Sequence, residues 1–174
     1  MPFGPPAASC RRTDSPVLFL FLVVVMPLFL GTSIYTLWRS KTLLVFTWYN
    51  WAGLESHVMA IRRGAAPFRH LLPGWFLYSL PDALWVFSFT ALIEYIWTSH
   101  PLGLGRRLWI LLPVCLSVGG EFGQLFHLIP GTFDWADVFA YLAAYLAASA
   151  SVSTVLKVRT RQHLIGIQKN GKPA

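Results

Sequence analysis

Long apolar runs, broken by short polar stretches, set the class of this chain. Four runs approach the roughly 20 residues with which a helix crosses a hydrocarbon core. They cover residues 16–38, 79–97, 108–128 and 135–156. In the first, Pro27 predicts a kink. Arg11 and Arg12 precede that run as they would a signal peptide. The run is too long for one, however, and no Ala-x-Ala cleavage site follows, so it reads as an uncleaved span. In the second, Ser79 is the expected N-cap, with Pro81 and Asp82 in the first turn, where proline is tolerated and a negative charge is favoured. The turn 129–133 between the last two runs is short enough to make them antiparallel neighbours. Residues 43–61 carry Phe46, Trp48, Tyr49 and Trp51 but are interrupted by Asn50, Glu55, Ser56 and His57. That pattern predicts an amphipathic helix lying in the membrane interface, with a fifth span as the alternative. The expected fold is an all-α integral membrane protein: four transmembrane helices plus one interfacial amphipathic helix. Residues 1–15 form an N-terminal tail, 16–156 one membrane domain, and 157–174 a polar, loose, basic tail.

Composition strengthens this reading. The chain has 174 residues, of which 55% are hydrophobic and only 12% charged, with mean hydropathy +0.54. Ordinary soluble domains carry about twice that charge, and the length leaves no room for a second domain. The net charge of +7 raises nucleic acid as a partner. The basic residues flank apolar runs, which is the membrane pattern, and nucleic-acid binding is excluded on that ground. With four spans, Arg11, Arg12, Arg106, Arg107, Lys157, Arg159, Arg161, Lys169 and Lys172 share one side. Arg39, Lys41, Arg62, Arg63 and Arg69 share the other. The excess places both termini in the cytoplasm. Cys10 and Cys115 are not expected to pair, and Cys115 reads as a small apolar core residue.

The chemistry concentrates where charge is scarce. Glu121 and Gln124 share one face near the end of the third span. Asp134, Asp137, Tyr141 and Tyr145 form one stripe opening the fourth. Asp82 opens the second. Under this topology all of them meet at the outer end of the bundle, with Glu121 roughly 10 Å inside the membrane edge. A carboxylate at that depth faces protein or water. Gathered carboxylates repel, so one keeps a proton or a cation binds among them. Glu121 and Asp137 are the candidate acid and base. Asp82, Gln124, Asp134 and Tyr141 are the candidate ligands of a substrate or cation. Oxygen donors of this kind suit a divalent Mg²⁺ or Ca²⁺. A simpler account makes Asp134 and Asp82 helix caps, but a cap does not explain Glu121. Gly119-x-x-x-Gly123 and the ladder Ala136, Ala140, Ala144, Ala148 allow close helix approach. His127, Glu55 and His57 read as surface residues. Glu94 reads as snorkelling to the interface, and the tryptophans at span ends as interface anchors.

Glu121-x-x-Gln124, a short turn and Asp134-x-x-Asp137 before a small-residue helix resemble the VanZ-like family of small polytopic bacterial membrane proteins. The resemblance covers about residues 79–150, with Asp82 at that family's acidic position on the second span. Gly131 and Thr132 stand where the family commonly has an Arg, and Tyr141 where it has an Asn. The resemblance implies a place in the bacterial cytoplasmic membrane and an envelope role of unknown biochemistry, with glycopeptide resistance in the founding member. The expected partner is a membrane lipid or a lipid-linked or cell-wall substrate. A proton- or cation-coupled carrier and a non-catalytic membrane subunit are the alternatives. The sequence leaves the oligomeric state open.

Overall fold

The protein is described by a computed structural model, which places the backbone of residues 16–99 and 103–170 and the side chains of residues 17–98 and 103–155. Among the described residues there are helices and no strands. The first long helix, α1, is Val17–Trp38. Two short helices follow, α2 (Leu44–Trp51) and α3 (Glu55–Ala65), and then a 3-10 segment, Ala66–Leu71. Next come α4 (Gly74–Ile96), α5 (Leu104–Leu125) and α6 (Trp135–Asn170). Four of these helices are long and apolar enough to cross a membrane: α1, α4, α5 and the stretch Trp135–Val155 of α6. The chain is an all-α membrane protein.

Several boundaries differ from those the sequence predicts. The segment 43–61 holds two helices, because Gly53 adopts φ +68 between them and ends α2. At 8 and 11 residues, neither is long enough for a fifth span. α4 begins at Gly74, after Pro73 in an extended conformation, so Ser79 is no N-cap and lies buried inside the helix. Pro81 and Asp82 are likewise interior, in the second and third turns. α5 begins at Leu104 and ends at Leu125. α6 does not stop at the end of the apolar run but continues to Asn170. Its last residues are rich in Lys, Arg, Gln, Leu and Ile, which propagate a helix readily without an apolar face. In α1, Pro27 lacks the N–H that would bond one turn back. The helix widens into a π segment, Phe21–Val25, directly before it.

α4 is the centre of the bundle. Some 44% of its apolar window is buried, against 11–22% for the other three. It packs most extensively on α6, then on α1, then on α5. The small residues explain the choice of partner. Ala148 of the alanine ladder is fully buried with Ala91 and Val152, and Ala140 and Ala144 pack against Ala83, Val86, Val114 and Tyr141. The Gly-x-x-x-Gly step plays no such part. A Cβ on Gly119 would touch nothing, and one on Gly123 would meet only Ile129 of the following turn. Close approach occurs instead at Gly31 of α1. A Cβ there would come within 3.0 Å of the Pro81 carbonyl and 3.1 Å of the Trp85 ring. Cys115 is exposed rather than in the core. Cys10 lies outside the described residues. Glu94 accepts a 2.8 Å hydrogen bond from Ser149 Oγ, so it ties α4 to α6 instead of only reaching outward.

Candidate functional site

Three helix ends and a turn create one cavity of about 670 Å³. α5 ends in a left-handed cap: Leu128 N–H reaches Gly123 O (2.8 Å), His127 N–H reaches Gln124 O (3.0 Å), and His127 has φ +56. The chain then turns through Pro130, Gly131 and Thr132 to Asp134, which starts α6. Asp134 Oδ1 accepts from Ala136 N–H at 2.8 Å, as a helix N-cap does. The cap and the reversal bring the acidic opening of α6 beside the end of α5. The first three turns of α4 close the third side.

Asp82, Glu121, Gln124, Asp134 and Asp137 all line this cavity. Tyr141 does not line it, yet its hydroxyl donates to Glu121 Oε1 at 3.4 Å. Glu121 is only 5% exposed. Its other oxygen, Oε2, accepts from Asp134 N–H at 3.3 Å. Both bonds are at the long end of the hydrogen-bond range. Glu121 lies four residues before the end of α5, roughly 6 Å along the axis. Asp137 Oδ1 is shielded from solvent and has no hydrogen-bond partner among the described residues. A shielded carboxylate oxygen without a partner carries a desolvation cost that a ligand would relieve. Gln124 is held against Gly131, where an added Cβ would lie 2.5–2.9 Å from the amide.

Two contributors escaped the sequence analysis. Tyr35 of α1 donates its hydroxyl to Asp82 Oδ1. Arg39, directly after α1, is the one cation among the lining residues. Its guanidinium stands 5.1 Å from the Tyr35 ring centre and 5.0 Å from that of Tyr78, at cation–π distance. Tyr35 and Arg39 are four apart and share a helix face, which is the one local signal for them. Ser79, Trp75 and Tyr78 of α4 complete the wall. Glu55, His57 and His127 do not line it. Among the described residues, no three His, Cys, Asp or Glu side chains are grouped to hold a metal ion.

An apolar groove of about 400 Å³ adjoins the cavity and shares Trp75, Ser79 and Ala136 with it. Leu80, Ala83, Leu84 and Phe87 of α4 and Ala140, Ala143, Ala144 and Ala147 of α6 line the rest. No protein-family model, curated protein or solved structure matches the chain.

Proposed function

We propose that this protein binds, and acts on, an amphiphilic envelope molecule whose polar head enters the carboxylate cavity. The observation that carries the reading is the continuity of that cavity with the alanine-lined groove. A head group rich in hydroxyls or amines would satisfy Asp137 Oδ1 and Glu121. An alkyl or prenyl chain would follow the groove between α4 and α6, where small side chains leave room for it. Glu121 and Asp137 are the candidate acid and base, with Asp82, Gln124 and Asp134 as head-group ligands. Tyr141 holds Glu121 from the core side. A divalent cation among the carboxylates is part of the same proposal, brought with a phosphorylated head group. We place the cavity on the outer face of a bacterial cytoplasmic membrane, with both termini cytoplasmic, from the flanking charge. The VanZ-like resemblance supports an envelope substrate, since both halves of its motif line one cavity. The apolar cluster of Ala83, Val86, Val114 and Tyr141 lies between the cavity and Glu94. That apolar packing favours binding over a carrier with a polar path through the bundle.

The test is a lipid and cell-wall-precursor profile of a deletion strain. The strain is complemented by wild type or by Glu121→Gln at matched membrane levels. The expected result is one accumulating species that wild type clears and Glu121→Gln does not. Equal rescue by both forms would make the carboxylate structural and sink the proposal.

A further inference from the structure

A second cleft, of about 510 Å³, lies between the end of α1 and α3. Lys41, Arg62, Arg63 and Arg69 line it, and no carboxylate does. Its remaining lining includes Leu37, Trp38, Met59 and Ala66. Arg62 is anchored here. Its guanidinium donates to the backbone carbonyls of Thr36 and Arg39, the latter at 2.8 Å, and stands 4.8 Å from the Phe46 ring centre. Trp38 Nε1 donates to Ala65 O at 3.0 Å and likewise ties the end of α1 to the end of α3. Partial burial, with the Arg69 charge nearby, pulls the Arg62 guanidinium below its ordinary range. Like charges held together on a fixed frame favour an anion between them.

We propose that this cleft is a binding site for a phosphate group. Arg63 and Arg69 supply forked donors suited to phosphate oxygens, Lys41 a point charge, and Arg62 the fixed positive floor. The site uses none of the cavity carboxylates, so it stands apart from the envelope-substrate reading. Two sources supply the chemistry: the headgroup of an anionic lipid, and free phosphate. The cleft takes in Leu37 and Trp38, the last residues of a span, and clustered cations beside a span attract anionic lipid.

The experiment uses the full chain in nanodiscs of phosphatidylcholine containing a minor fraction of phosphatidylglycerol. Bound lipid is counted by native mass spectrometry. Lys41→Gln, Arg63→Gln and Arg69→Gln are combined in one variant, and Arg62 is left intact because it holds α1. A second variant carries Arg63→Lys and Arg69→Lys, which keeps the charge and removes the fork. Wild type is expected to enrich phosphatidylglycerol. The triple variant should lose that enrichment by about tenfold or more, and the lysine pair should lose part of it. Displacement by millimolar inorganic phosphate assigns the site to free phosphate, and persistence of the lipid assigns it to a lipid-borne one. Equal lipid retention by wild type and the triple variant, with no phosphate effect, overturns the proposal.

Discussion

The residues that shape the cavity are as informative as those that line it with charge. Gly131 has φ +145, a conformation L side chains rarely adopt, and it leaves no room for a Cβ beside Gln124. Gly131→Ala therefore faces two penalties at once: backbone strain, and displacement of the Gln124 amide. Strain of this kind costs on the order of 1–3 kcal/mol. The variant is expected to melt at lower temperature in detergent than wild type, and to lose function beyond what its reduced abundance explains. Equal melting temperatures would show that the turn relaxes freely. His127 is the counterpart on the other side of the same turn. It holds a left-handed position without being glycine, and the two cap hydrogen bonds around it keep it there.

At the scale of elements, helix ends do most of the positioning, and they are where sequence reading was weakest. The spacing Asp134-x-x-Asp137-x-x-x-Tyr141 was legible because the helix itself fixes it. Glu121 and Gln124 were legible for the same reason. Their meeting followed from the short turn. The start of α4 was not legible, because Ser79 and Pro81 imitate a helix opening. In a membrane bundle, neighbouring helices tolerate an interior proline. Arg39 and Tyr35 were missed because a cation after a span looks like ordinary flanking charge, and only tertiary packing carries Tyr35 to Asp82 and Arg39 to the cavity wall. The end of α1 shows what such packing does. Its last carbonyls have no intrahelical donors, and Arg62 of α3 supplies them at Thr36 and Arg39. Arg62→Met keeps most of the stem and removes those donors. It should cost on the order of 1–3 kcal/mol. Faster amide exchange is expected in the last turn of α1 and at Arg39, with exchange in α5 unchanged. Unchanged exchange at Tyr35 to Arg39 would show that Arg62 is not the cap.

At the scale of the whole molecule, the two clefts belong to one end of the bundle, and that arrangement has a consequence for topology. An odd number of crossings between residues 56 and 105 would put those two positions on opposite sides. A further crossing by α5 would return Thr132 to the side of Ser56. Ser56 lines the basic cleft and Thr132 the carboxylate cavity, while Gly105 opens α5 at the other end. Single cysteines at these three positions, with Cys10 and Cys115 replaced by serine, test the arrangement with a membrane-impermeant maleimide. Ser56→Cys and Thr132→Cys are expected to label in intact cells. Gly105→Cys should label only after the membrane is opened. Labelling of Ser56→Cys and Thr132→Cys from opposite sides would break the four-span fold. Labelling of Gly105→Cys alone in intact cells would keep the fold and invert it. The cavity would then open to the cytoplasm, where an envelope substrate must be met before export rather than after it.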